Sequence, residues 1–124
     1  MAQTVLIVDD EPQVLMLVAR HLARLLPTYQ LVTVATGAQA LERCCDPSLA
    51  LLITDLRLQD MTGVEIIASV HSRVPKLPVL LISGCETTAV AQFALDAGAT
   101  AFLGKPFTVA ELDEAVRALM PAAS

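Results

Sequence analysis

Four short apolar runs in this 124-residue chain each stop at a polar residue able to do chemistry. Val5-Leu6-Ile7-Val8 ends in Asp9, Asp10 and Glu11, and Leu52-Ile53-Thr54 ends in Asp55. Val79-Leu80-Leu81-Ile82 ends in Ser83, and Ala101-Phe102-Leu103 ends, after Gly104, in Lys105 and Pro106. Carboxylates gathered at one place would be unstable alone, because two unit charges about 4 Å apart repel by about 4 kcal/mol at an effective dielectric near ~20. One of them would then tend to hold a proton. A hard divalent cation removes that conflict, and a site of few carboxylates with room for water and phosphate oxygens suits Mg²⁺. An aspartate is a competent nucleophile towards phosphorus. Phosphoryl transfer asks mainly for positioning and charge neutralisation, which a lysine ammonium and a serine hydroxyl can help supply. Asp55 is therefore the residue expected to carry the chemistry. Singly, none of these residues is telling: an aspartate after a strand is ordinarily a turn former, and a lysine is ordinarily on the surface. Their joint placement at the ends of apolar runs carries the reading.

The elements that must position them follow from the spacing. Residues 4–8 form a short β-branched run and predict a buried strand. Pro12 then suits the first turn of a helix, with Val14, Leu15, Val18, Leu22 and Leu25 at helical spacing and Pro27 as its stop. Strands are expected at 31–34, about 50–54, 79–82 and 100–103. Thr36-Gly37-Ala38-Gln39, Thr62-Gly63-Val64-Glu65 and Thr108-Val109-Ala110-Glu111 match the capping box that satisfies the free amides at a helix start. The first predicts a helix with Leu41, Cys44 and Cys45 inward. The second predicts one carrying Ile66, Ile67, Val70 and Val74, closed by Pro75 and Pro78. The third predicts a last helix with Leu112, Val116 and Leu119 inward. A weaker helix at about 87–97 turns Val90, Phe93 and Ala94 inward and stops at Gly98. Residues 121–124 read as a frayed tail. Strands alternating with helices in this way predict an α/β fold, an open parallel sheet covered on both faces. In such folds ligands bind outside the carboxyl ends of the strands, where strand order reverses. Right-handed crossovers put those ends along one edge. The topology alone would therefore converge Asp9, Asp10, Asp55, Ser83 and Lys105.

Composition bounds the alternatives. The length suits one domain with a sizeable core. Hydrophobic residues make up 55% and charged residues 17%, as expected for strands buried on both faces. The apolar stretches are broken well short of a bilayer span, and no basic flank precedes the first of them; a cytoplasmic protein is expected. A net charge of −5 without a basic run argues against direct nucleic-acid binding. Cys44, Cys45 and Cys85 form no metal-ligand spacing or disulfide framework, and read as free buried thiols. His21 and His71 lie on helical segments without evident partners and read as surface or boundary residues.

Asp9-Asp10 after the first strand, Asp55 after the third, Ser83 after the fourth and Lys105-Pro106 after the fifth resemble the receiver domain of bacterial two-component response regulators. The resemblance spans nearly the whole chain as one receiver domain, 1–124, with an ordered core of about 4–120. It implies a flavodoxin-like five-stranded sheet in the order 2-1-3-4-5. It also implies that Asp55 accepts a phosphoryl group from a sensor histidine kinase or a histidine phosphotransfer protein. Mg²⁺ or Mn²⁺ would be held by Asp10 directly, Asp9 through water, Asp55, and Arg57 through its backbone carbonyl. Lys105 would pair with the phosphoryl group. Ser83 would move towards it and let Phe102 turn inward, altering the surface of the last helices and strand for a downstream protein or a fused output domain. Such a domain is a signalling module, not an enzyme, and supports only its own phosphoryl transfer and autodephosphorylation. The Lys105–Pro106 bond would be cis.

This chain departs from the family's pattern at three places. Gln59 stands where most receivers have proline, which predicts a less rigid loop after Asp55. Cys85 occupies a position that in the family tunes the access of water to the phosphoryl group. Phe102 lacks the hydroxyl of the tyrosine found in some members, so any switching would rest on packing. The alternative enzymatic reading is a haloacid-dehalogenase-like phosphatase with Asp55 as nucleophile. That class resembles Asp-x-Asp after the first strand, whereas here Arg57 follows Asp55 by two after the third. A flavin or nucleotide binder would need a glycine-rich loop where Asp9-Asp10-Glu11-Pro12 stands.

Overall fold

A computed structural model describes residues 2–84 and 88–120. Cys85 and the 121–124 segment lie outside the described residues. Five strands alternate with five helices: β1 (Thr4–Val8), α1 (Pro12–Leu25), β2 (Gln30–Val34), α2 (Gly37–Arg43), β3 (Leu49–Asp55), α3 (Gly63–Arg73), β4 (Val79–Ser83), α4 (Thr88–Asp96), β5 (Ala101–Gly104) and α5 (Val109–Leu119). The sheet is parallel throughout, in the order β2-β1-β3-β4-β5.

Period-two alternation sorts the strand side chains into two cores. Leu6, Val8, Leu52 and Leu81 pack with Ala40 of α2, Ile66, Ile67 and Val70 of α3, and Ala94 of α4. Val5, Ile7, Leu51, Ile53, Leu80 and Ile82 pack with Val18 and Leu22 of α1 and with Leu112 and Val116 of α5. A strand buried on both faces reads as an unbroken apolar run, which is why the runs ending at Val8, Thr54 and Ile82 carry so few polar residues. Among the described residues no helix is long and apolar enough to cross a membrane.

The helix starts agree with the expected boxes, with one change. At α5 the box is reciprocal: Thr108 Oγ1 accepts from the Glu111 amide and Glu111 accepts from the Thr108 amide. At α3, Glu65 accepts from the Thr62 amide at 2.9 Å. At α2, Thr36 accepts from the Gln39 amide, but the Gln39 side chain reaches back to Ala35, one residue earlier than a box requires. Gly98, at φ +108°, ends the α4 segment as expected; glycine adopts that conformation without a Cβ penalty.

Three expectations about packing are corrected. Phe93 is 54% exposed, because only Ala94 of the short α4 is fully buried and Phe93 lies beside it on the solvent side. Cys45 is exposed, since α2 ends at Arg43 and the chain turns there, leaving Cys44 alone buried. The histidines are not without neighbours: His71 Nε2 lies 3.0 Å from the Leu77 carbonyl oxygen, and His21 Nε2 lies 3.4 Å from Asp113 Oδ1, outside hydrogen-bond geometry.

Gly63 opens α3 against the end of β3, donating its amide to the Leu56 carbonyl at 2.7 Å. A Cβ there would run into the Asp55 carbonyl, with Leu81 closing the other side. Gly63→Ala is therefore expected to cost about 2 kcal/mol, the usual scale of overpacking, measured as a fall in the urea midpoint. An unchanged midpoint would mean that α3 can move off β3 freely.

Candidate functional site

The register delivers the polar residues to one place. Val8 is opposite Thr54, so Asp9 follows beside Asp55. Asp55 is opposite Ile82, and Ser83 is opposite Gly104, so Ser83 and Lys105 end the next two strands at the same edge. Main-chain bonds continue past the strands: the Leu56 amide donates to Ile82, and the Lys105 amide donates to Ser83 at 2.7 Å. The site thus lies where the order reverses between β1 and β3, the usual ligand crevice of such sheets.

An open cavity of about 410 Å³ there is lined by Asp10, Glu11, Asp55, Arg57, Ser83, Gly84 and Lys105. Lys105 Nζ reaches three carboxylates, at 2.6 Å from Glu11 Oε1, 2.9 Å from Asp55 Oδ2 and 2.9 Å from Asp9 Oδ2. Two of these contacts, to Glu11 and Asp55, are hydrogen bonds, whereas Asp9 is held as an ion pair. Burial by itself would lower the Lys105 pKa, but its bonds to Asp55, Glu11 and Asp9 hold it well above the ordinary lysine value. Burial, helped by the nearby Asp55 charge, raises the Asp9 pKa above the ordinary carboxylate value; the Glu11 amide and Lys105 only partly offset this. Asp9 Oδ1 accepts from the Glu11 amide at 2.8 Å, and Asp55 Oδ1 accepts from the Arg57 amide at 3.2 Å.

The residues present fit a hard cation. Carboxylate oxygens of Asp9, Asp10, Glu11 and Asp55 lie within 4.8 Å of one another. Asp9 Oδ2 is buried and ion-paired to Lys105, yet off the direction a hydrogen bond needs, so it is short of one partner. All-oxygen donors around such an atom suit Mg²⁺ or Mn²⁺.

Of the residues singled out in the sequence, Asp9, Asp10, Asp55, Ser83, Arg57 and Lys105 come together at this edge. Arg57 is exposed, and its backbone pairs across the loop with Thr62. Phe102 lies apart, half-buried on β5 against the α2–α4 side of the core. The Lys105–Pro106 bond is cis. Sequence reasoning missed two residues. Glu11 was read only as the end of an acidic run; its pairing with Lys105, 94 positions away, left no local signal. Asp60 accepts from the Gly37 and Ala38 amides, both at 2.9 Å, tying the loop after Asp55 to α2. The loop that Gln59 was expected to loosen is therefore pinned at its next residue.

Fold and site together define a doubly wound α/β domain whose switch point is an acidic pocket bridged by one lysine. Comparison with known proteins makes the class specific: the family described as response regulator receiver domain matches residues 5–117, and the chain belongs to it. The transcriptional regulatory protein KdpE of Mycobacterium tuberculosis is 34% identical over 114 residues, covering 92% of this chain and 49% of that protein. The chain spans about half the length of the curated relatives it matches. A CheY-like receiver domain protein of Methanospirillum hungatei superposes with a TM-score of 0.85 at 25% identity, over 99% of this chain and 97% of that one. The chemotaxis response regulator CheY4 of Vibrio cholerae gives 0.86 at 25% identity, over 97% and 100%. This chain is a phosphoacceptor receiver domain, and the dehalogenase-like phosphatase reading finds no support.

Removing the shared ammonium should expose the carboxylate conflict. Lys105→Ala is expected to cost on the order of 2–3 kcal/mol in metal-free buffer near neutral pH, somewhat below a fully buried broken pair because Glu11 is open to water. The loss should shrink as pH falls through the carboxylate range, Asp9 protonating first because its folded pKa is raised. Urea unfolding at about pH 7 and about pH 4 measures both; an equal deficit at the two would mean that charge balance is not what Lys105 provides.

Proposed function

We propose that Asp55 is the phosphoacceptor of this receiver, loaded by a sensor histidine kinase or a histidine phosphotransfer protein in the cytoplasm. The supporting observation is the placement of its carboxylate: Oδ2 is 2.9 Å from the Lys105 ammonium and Oδ1 accepts the Arg57 amide, beside a cavity open to a donor. An Asp55 oxygen attacks phosphorus, the phosphorus–nitrogen bond to the donor histidine breaks, and its electron pair returns to the imidazole, which takes up a proton. The product is an acyl phosphate on Asp55.

In this reading Asp10 and Asp55, Asp9 through water, and the Arg57 backbone carbonyl would hold Mg²⁺ or Mn²⁺. The bound ion supplies neutralisation of the carboxylate and phosphoryl charges. Lys105 hydrogen-bonds Glu11 and Asp55 and ion-pairs with Asp9, and it turns to a phosphoryl oxygen by releasing one of these carboxylates. Glu11, the exposed partner, is the easiest to release. Ser83 is buried at the rim of the same cavity and offers its hydroxyl to a phosphoryl oxygen. Phe102, on the strand that leads into Lys105, passes the change by repacking to the face formed with α4 and α5. The output is a downstream protein or an output domain on the same polypeptide, without nucleic-acid contact by this domain. In this reading the domain catalyses nothing beyond its own phosphorylation and dephosphorylation.

Incubation with a small phosphodonor and Mg²⁺ is expected to add a single phosphoryl group, and Asp55→Asn to abolish it, read by intact-mass spectrometry. Equal labelling of the variant would remove Asp55 as acceptor. Mg²⁺ at ten times its Kd should stabilise the fold by about 1.4 kcal/mol through linkage, and Asp10→Ala should remove that gain. A melting curve indifferent to Mg²⁺ would count against the metal site.

A further inference from the structure

The loop between β3 and α3 is built more tightly than its sequence suggests. Inside it, the Leu58 amide donates to the Met61 carbonyl at 3.0 Å, and Arg57 pairs with Thr62. Its two stems are fixed by β3 and by the Gly63–Leu56 bond. Its tip is fixed from outside. Asp60 Oδ1 accepts from Gly37 N and Oδ2 from Ala38 N, so one carboxylate grips two successive amides of another element. Those amides open α2, whose next one, on Gln39, is taken by Thr36; without Asp60 they would have no partner within their own helix. The grip is reinforced sterically: a Cβ on Gly37 would run into the Met61 side chain, so the loop lies directly on the backbone of the helix start. The two amides also hold the Asp60 carboxyl below its ordinary pKa, as charge-assisted bonds should.

We propose that Asp60 is a positioning residue for the metal site: by clamping the loop tip to α2 it fixes where the Arg57 backbone carbonyl lies. The clamp supplies by two charge-assisted bonds the stiffness that Gln59 does not. Asp60 touches neither metal nor phosphoryl group and acts only through the loop. The inference rests on the proposed Mg²⁺ site.

Mg²⁺ titration of the purified chain by calorimetry, with circular dichroism to verify folding, separates this from a purely structural cap. Asp60→Ala is expected to weaken Mg²⁺ binding by about tenfold, the usual scale for losing a residue that orients a metal ligand. Asp60→Asn, which keeps one acceptor oxygen, should fall between it and the wild type and carries the test if the alanine variant does not fold. Thr36→Ala removes a cap from the same helix without freeing the loop, and should lower the melting temperature while changing Mg²⁺ affinity by less than about twofold. Wild-type affinity in both Asp60 variants, or an equal loss in Thr36→Ala, would overturn the positioning role. A wild type that binds no Mg²⁺ would overturn the metal site itself and this inference with it.

Discussion

One ammonium shared among three carboxylates is the interaction on which the rest of this domain depends. Asp9 is 2% exposed and Asp55 7%, so neither can count on water to support its charge. Lys105 neutralises one charge and leaves the pocket net negative, with Asp10 at its side. That residue of uncompensated charge makes the pocket receptive to a small hard cation. It also makes the lysine a movable partner: every bond it makes is to a group that a cation could satisfy instead.

The scaffold's task is to keep those four side chains together although they arrive from three strand ends. The register does this without slack, since β1, β3, β4 and β5 are bonded in sequence along one edge and the strands are packed on both faces. The reversal of order between β1 and β3 leaves Asp9 and Asp55 beside each other at the carboxyl edge of the sheet. Glycine serves the same end at Gly63, where only a missing Cβ lets α3 start against the Asp55 carbonyl.

The strand ends were legible in the sequence because burial on both faces removes polar residues from a strand, so the first polar residue marks where the sheet stops. Helix starts were legible because Thr-x-x-Glu and Thr-x-x-Gln solve a local problem with local residues, as at Thr62 and Thr108. The Lys105–Glu11 pair and the Asp60 grip on α2 join positions far apart in the chain, and an exposed acid carries no mark of its partner. Phe93 was misplaced for a different reason. A short helix with alanine at several positions has a weak apolar face, so its rotation is set by the neighbours it packs on. The expectation of a loose loop after Asp55 considered Gln59 alone and missed that Asp60 could bond outside the loop.

Of the three carboxylates that face Lys105, we propose that Asp55 alone becomes the acyl phosphate. Borohydride reduces an aspartyl phosphate to homoserine, so trapping the phosphorylated chain and sequencing its peptides by mass spectrometry locates the acceptor directly. Homoserine at position 55 alone is the expected result; homoserine at position 9 or 10, or none anywhere in the chain, would contradict it.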